Sequence, residues 1–275
     1  MTTVLLPDWH GYGVSTAPAD GARALARAWW PDPPELVVES ADAETLATEA
    51  GVLGLASIAT GLTRTRAALH ALSPTRLQMI GGTCGVELAP VAYLNERYAG
   101  DLAVLWCDAH VDLNTPASSP NGHFHGMALR TLLGDGPESL TRQLPRPLRP
   151  AQVFLVGARD LDPPEADFVA TSGVTRVRDE AFDDPNVLVA PLRARGFSHV
   201  YLHVDVDLIN PDDFGNALMH APGGPLLAAV AGVLSAVHRH TDVVGFSALE
   251  YCDRDPRDRA RLVTALRAAA TRTCC

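Results

Sequence analysis

Two short aspartate-rich segments carry the chemistry this sequence can do. The first is Asp108-Ala-His110-Val-Asp112-Leu-Asn114, directly after the apolar run Leu102–Cys107. The second is Asp205-Val-Asp207, at the end of a run that starts at His199. In an extended chain residues i, i+2 and i+4 share a face. Asp108, His110 and Asp112 can therefore converge where one strand runs out, and Asp205 with Asp207 where another does. Carboxylates so close repel one another unless they surround cations or share a proton. Four aspartates and one imidazole form a mostly hard, oxygen-rich donor set, suited to manganese or magnesium over copper. Four carboxylates also balance two divalent ions, so a two-metal hydrolytic centre is the expected chemistry. A single Asp-X-Asp is often a cap or a loop ion pair. Two such segments, each after a buried strand, point to metal.

The elements that must position these residues alternate between short apolar runs and helical spacing. Strands are expected at Thr3–Leu6, Glu35–Glu39, Arg76–Ile80, Leu102–Cys107, Gln152–Val156, Gly173–Val177, His199–Val206 and Asp242–Leu249. Helices are expected at Asp20–Trp30, Gly61–Leu72, Val86–Tyr98, Glu165–Thr171, Leu226–Arg239 and Pro256–Thr271. That rhythm is the signature of an α/β fold with a parallel sheet covered by helices. Runs such as LAVLW are apolar almost throughout, as strands covered on both faces must be. Ligands of such sheets bind beyond the carboxyl ends of the strands, where both aspartate segments lie. The Pro-rich Gln143–Pro150 stretch reads as a loop, so one domain over residues 1–275 is expected.

Composition narrows the function classes. The net charge is −10, which disfavours a phosphate backbone as partner and excludes little else. All 22 basic residues are arginine, so no lysine Schiff base or P-loop lysine is available. The longest apolar run, Leu226–Val237, falls short of the ~20 residues that span a bilayer. The N-terminus lacks a basic leader region. A cytoplasmic protein with no membrane partner is expected. Five cysteines without a CxxC spacing read as free thiols, with Cys274 and Cys275 in a frayed tail.

Taken in order, DAHVDLNTP, NGHFHG, HVDVD and the glutamate of SALEY resemble the arginase branch of the ureohydrolases. The resemblance covers essentially the whole chain. It implies an arginase-like three-layer α/β/α fold with one parallel eight-stranded sheet and two Mn2+ ions at one edge. It makes Asp108, His110, Asp112, Asp205 and Asp207 metal ligands. The chain departs from the family at Gly81-Gly82-Thr83-Cys84-Gly85, because the family usually places Gly-Gly-Asp-His-Ser there. Cys84 stands where the histidine binds the first metal. It is read as a thiolate ligand, as a thiol that leaves that metal loosely held, or as part of a site selected for zinc. A first metal site retained but altered, with Cys84 in or near its shell, is the reading favoured over a merely buried apolar cysteine.

The same resemblance assigns the substrate contacts. Asn114, Asn121 and His123 hold the α-carboxylate of a guanidino amino acid, with His123 standing where arginases have asparagine. Asp162 meets the α-amino group and Glu165 assists. Asp162 before Pro163 and Pro164 could instead cap a helix. Glu250 lies under the guanidino group, where a carboxylate can accept paired hydrogen bonds. His125 resembles the proton shuttle, and Asp112 orients the attacking hydroxide that bridges the metals. A thiolate at Cys84 leaves the cluster short of positive charge, and an N-hydroxyguanidine is less basic than a guanidine. With Cys84 in that place the chain most resembles the family members that cleave Nω-hydroxy-L-arginine to L-ornithine and hydroxyurea in D-cycloserine biosynthesis, and that resemblance implies this substrate. Ordinary arginase, guanidino-acid hydrolase and formimino hydrolase are the neighbouring readings; a zinc deacetylase or a catalytically dead homologue lies further off. The short stretch after Glu250 favours a monomer. His10, His70, His199, His203, His220, His238 and His240 receive no role.

Overall fold

Apolar runs covered on both faces become strands, and the longer amphipathic segments between them become helices. The computed structural model describes residues 1–40 and 46–270. In chain order the elements are β1 (Thr2–Leu6), α1 (Ala17–Trp29), β2 (Leu36–Val37), β3 (Thr48–Glu49), β4 (Val52–Leu53), α2 (Leu55–Leu72), β5 (Leu77–Gly81), α3 (Leu88–Arg97), β6 (Leu102–Cys107) and α4 (Ala128–Leu132). They continue with α5 (Glu138–Thr141), β7 (Val153–Val156), α6 (Pro163–Ser172), β8 (Thr175–Val177), α7 (Asn186–Ala194), β9 (His199–Asp205), α8 (Leu227–His240), β10 (Asp242–Leu249) and α9 (Pro256–Ala270). Each of the eight expected strands is present. Together they form one eight-stranded sheet in the order β2-β1-β5-β10-β9-β6-β7-β8. Every pairing in it is parallel. Cys274, Cys275 and the last residue of the expected final helix, Thr271, lie outside the described residues.

The sheet separates two apolar layers. Leu25, Trp29, Leu202, Phe246, Leu234 and Leu262 lie in the layer under α1, α8 and α9. Met79, Trp106, Tyr201, Leu88, Leu94 and Leu129 lie in the layer under α3 and α4. Neighbours along a strand alternate between these layers, as in β9, where Tyr201 and Leu202 fall on opposite sides. Burying one such large side chain contributes roughly 1.5–3 kcal/mol. Among the described residues no helix is long and apolar enough to cross a membrane.

Two departures from the expected elements matter for the site. The strand expected at Glu35–Glu39 shortens to β2, an edge strand whose Val37 is exposed. An antiparallel hairpin, β3 with β4, was not anticipated, because two-residue strands leave no apolar pattern to read. Its Leu53 amide donates to the Gly122 carbonyl at 2.9 Å, so the hairpin props the polar loop between Asn114 and Gly126.

Candidate metal centre and substrate cleft

Four strands at the middle of the sheet, β5, β10, β9 and β6, are consecutive neighbours. Their carboxyl ends therefore lie side by side. β5 leads through Gly81 and Gly82 to a short helical turn that begins at Cys84. β10 ends at Leu249, next to Glu250. β9 delivers Asp205 and Asp207, and β6 delivers Asp108, His110 and Asp112. The approach at β5 is close: a Cβ on Gly82 would lie 1.8 Å from the Asp8 carbonyl oxygen. Only glycine lets that turn pass at this distance.

The side chains meet as three interlocking donor groups. Cys84, Asp108, Asp112 and His203 form one, Cys84, Asp205 and Glu250 a second, and Asp108, His110 and Asp207 a third. Within each, the donor atoms lie within 4.8 Å of one another. His110 Nδ1 is 2.9 Å from Asp207 Oδ2 and 3.6 Å from Asp108 Oδ1. Cys84 Sγ is 3.2 Å from Asp205 Oδ2, and its backbone N–H donates to Glu250 Oε1 at 2.8 Å. Asp205 Oδ1 accepts the Asp207 amide at 2.7 Å, and Asp108 Oδ1 accepts the His110 amide at 2.7 Å. These local bonds turn each strand end so that its carboxylates face the neighbouring strand.

The electrostatics fit a pair of divalent cations. Asp108, Asp112, Asp205, Asp207 and Glu250 are all buried, and the cations that ion-pair with them among the described residues are histidines. Burial, followed by the Asp207 and Asp108 charges, pushes Asp205 well above the usual carboxylate range. Burial and the Asp108 charge do the same to Asp112. Burial and then Asp108 raise Asp207 to about 6. Burial would also raise Asp108, but hydrogen bonds with His110 and His203 hold it well below its usual value. Burial works against a charge on His110, yet its bonds to Asp108 and Asp207 prevail and raise it far above the ordinary imidazole range. Burial raises the Cys84 thiol, and the surrounding carboxylates raise it further. Such crowding costs several kcal/mol per buried ion unless positive charge is supplied.

Backbone strain marks the same residues. Five non-glycine residues have left-handed backbone angles among those described, and two of them are Asp112 (φ 51°) and Glu250 (φ 59°). Each also keeps one buried carboxylate oxygen without a protein partner, Asp112 Oδ2 and Glu250 Oε2. A side chain held in a costly backbone conformation with a bare buried oxygen is set up for a ligand the chain itself does not provide.

Above the cluster opens a cleft of about 200 Å³. Cys84, His110, Asp112, Asn114, Asn121, His123, His125, Asp162, Glu165, Asp205, Asp207 and Glu250 all line it. Asp108 lies beneath its floor, fully buried. The structure thus brings together every residue singled out from the sequence. Asn114 Nδ2 donates to Asp162 Oδ2 at 2.8 Å, and Asn114 Oδ1 accepts the Ser118 hydroxyl at 2.8 Å. Asn121 Oδ1 accepts the His123 amide at 2.9 Å. His123 sits below its ordinary value, through burial and then the nearby His125. His125 Nδ1 lies 3.4 Å from Glu250 Oε1. Asp162 lines the cleft and also precedes α6 as its N-cap. Glu165 accepts the Leu113 and Asp162 amides, each at 2.9 Å, and so ties the loop after β6 to the start of α6.

Three features escaped the sequence reading. His203 is fully buried in the cluster, two residues before Asp205 on the same face of β9. The motif HVDVD contained it, and its place on the aspartate face was the available signal. Arg159 donates to the carbonyls of Asp207, Leu208, Ala221 and Pro222, and so fixes the loop from Asn210 to Pro222 against the cluster edge. Gly224 is packed on that guanidinium, since a Cβ there would come 2.7 Å from its carbon. The hairpin that braces the Asn114–Gly126 loop is the third.

The arginase family model matches residues 16–271 of the chain. An arginase of Staphylococcus aureus (strain MRSA252) is 29% identical over 178 residues, 62% of this chain and 59% of that relative. The match thus spans about three-fifths of the relative's length. The structure of Entamoeba histolytica arginase in complex with L-ornithine superposes with a TM-score of 0.84 at 20% identity, covering 98% of this chain and 97% of that one. The arginase of Bacillus subtilis superposes with a TM-score of 0.84 at 19% identity, covering 100% and 99%. These superpositions establish the fold.

Proposed function

Because the chain belongs to the arginase family, we propose that it is a binuclear manganese amidinohydrolase acting on Nω-hydroxy-L-arginine. Its products are L-ornithine and hydroxyurea, and its place is D-cycloserine biosynthesis in the cytoplasm. Residues 1–275 act as one catalytic domain. The observation that carries the reading is the pair Asp112 and Glu250. Both are strained, both line one cleft, and each keeps a buried carboxylate oxygen without a protein partner beside buried metal-ligand groups.

Asp108, His110, Asp112, Asp205, Asp207 and Cys84 are the residues to hold the ions. Divalent ions bound there lower the pKa of water, so that a nucleophile exists at neutral pH. Asp112 Oδ2, bare and buried, orients that nucleophile and takes up its proton. Glu250 Oε2 accepts N–H groups of the guanidino end and sets the carbon in line for attack. His125, 3.4 Å from Glu250, returns a proton to the departing ornithine amine. Asn114, Asn121 and His123 receive the α-carboxylate and Asp162 the α-amino group. Glu165 holds the wall from which Asn114 and Asp162 project, through the two amides it accepts.

The substrate assignment rests on Cys84. Its sulfur stands among Asp205, Asp108, Asp112 and Glu250, and a thiolate there adds negative charge where a histidine adds none. Cys84 thus changes the charge that the guanidino end meets, and an N-hydroxyguanidine, being less basic than a guanidine, meets it more readily as the neutral form. Cys84→His is expected to lower the kcat/KM ratio of Nω-hydroxy-L-arginine over L-arginine by about tenfold, 1.4 kcal/mol. An unchanged ratio would break the link between this residue and substrate choice. Ordinary arginase is the second reading, favoured by the relative from Staphylococcus aureus being an arginase.

A further inference from the structure

His203 is held in a way that leaves one ring nitrogen for the cluster. Trp106, Ser247 and His203 form one row across β6, β9 and β10, since Trp106 and Ser247 are both register partners of His203. The Trp106 indole stacks on the imidazole with centroids 3.5 Å apart and planes 9° apart, which fixes the ring plane. His203 Nδ1 lies 3.0 Å from Glu87 Oε1. Glu87 is itself fully buried, and it also accepts the Tyr201 hydroxyl at 2.6 Å and the Ser247 hydroxyl. Nδ1 thus faces the Glu87 carboxylate as its donor, while Nε2, which hydrogen-bonds Asp108 in the metal-free chain, gives its lone pair to an ion that displaces that proton. Nε2 lies 3.5 Å from Asp108 Oδ2 and 3.9 Å from Cys84 Sγ. Sulfur bound at about 2.3 Å and nitrogen at about 2.0–2.1 Å around one tetrahedral ion stand about 3.6 Å apart. Asp112, in the same donor group, keeps its bare oxygen buried beside them.

We propose that His203 Nε2 and Cys84 Sγ together ligate the first metal ion, with Asp108 and Asp112 completing the set and Glu87 orienting the imidazole. The imidazole absent from the turn after β5 is thus supplied by β9, two strands along the sheet. A carboxylate that fixes the far nitrogen of a ligating histidine is a recurrent way to set its tautomer and basicity. Sulfur and imidazole make this position softer than the one formed by His110, Asp108 and Asp207, so it favours cobalt or zinc over manganese relative to that one. The inference rests on the metal-dependent reading above.

The test is metal binding to the intact chain, read without turnover. The protein is stripped with chelator and titrated with Co2+, with bound metal counted after dialysis. The wild type is expected to take up two equivalents and to show a thiolate-to-cobalt charge-transfer band that Cys84→Ser removes. His203→Gln is expected to retain one equivalent. Glu87→Gln is expected to weaken the first ion on the order of 10–100-fold while leaving the other unchanged. The cobalt-loaded wild type provides a reading that no unfolded variant can obscure: its paramagnetically shifted proton spectrum should show two exchangeable imidazole N–H signals, one each from His110 and His203. A single such signal, or two equivalents held with wild-type affinity by His203→Gln, overturns the proposal while leaving a two-metal enzyme standing. A wild type that binds no divalent ion overturns both.

Discussion

Asp207→Ala and Asp112→Ala lose nearly all ornithine release, about 10³-fold or more, because each removes metal-directed oxygen worth several kcal/mol of transition-state stabilisation. The two variants are expected to fail differently. Asp207 sits 2.9 Å from His110 Nδ1 in a donor group without Asp112, so its loss should lower metal content at the His110 position. Asp112 also carries the unpartnered oxygen that handles the proton, so activity should stay lost even where excess metal restores occupancy. Removing Asp112 relieves repulsion among buried carboxylates, so Asp112→Ala stripped of metal should melt close to stripped wild type. Asp207→Ala relieves repulsion too but gives up its pairing with His110 and the Ala109 amide, so metal content and melting are read together for it. Full turnover in either variant, measured as ornithine released per bound metal, would contradict the cluster assignment.

Stripping the metal from the wild type destabilises it, and the loss grows with pH. Burial and neighbouring carboxylates raise Asp112, Asp205 and Asp207 above their ordinary values, Asp207 to about 6. A group whose folded value is raised stabilises the fold fully while it stays protonated, below its unfolded value near pH 4, and loses that contribution as pH climbs through the folded value. For Asp207 alone, the rise from 3.8 to about 6 corresponds to about 3 kcal/mol. The metal-free protein should therefore weaken from about pH 4 to beyond pH 6, through ionisation of Asp207 and then of Asp112 and Asp205. Bound cations replace those protons and remove the penalty. With metal at 1,000 times its Kd, each site adds about 4 kcal/mol, so the melting temperature should fall on the order of 10 °C on chelation. The gap between loaded and stripped protein is expected to be wider at pH 8 than at pH 5. A gap that narrows with rising pH, or none at all, would contradict this charge balance.

The sequence was most legible where burial is complete. Runs such as Leu102–Cys107 and His199–Asp205 are buried almost end to end, so their apolar character showed on paper, and the aspartates that follow them were placed by strand ends alone. The edges were less legible. β2 is two residues long and half exposed, and α7 contains Pro191 and follows Pro185, which hides its helical pattern. Among site residues, the carboxylates were visible because repulsion demands an explanation for such crowding. His203 was not, because one histidine within an apolar strand reads as packing. What distinguishes it is the register that sets Trp106 and Ser247 beside it and the Glu87 carboxylate reached across the layer, and none of these is local in sequence. Arg159 was invisible for a similar reason: four of the carbonyls it holds are more than forty residues away. The strain at Asp112 and Glu250 is likewise a property of the folded backbone, absent from any residue pattern.

We expect this cleft to hydrolyse the guanidino end of an amino acid by means of its buried metal cluster. The most direct measurement is ornithine release by the manganese-loaded protein and by the same protein after chelation, with L-arginine and Nω-hydroxy-L-arginine side by side and kcat/KM compared. The expected result is metal-dependent ornithine with a clear preference for the hydroxylated substrate, and hydroxyurea formed in equal amount. No ornithine from either substrate, or release that chelation leaves unchanged, would contradict it.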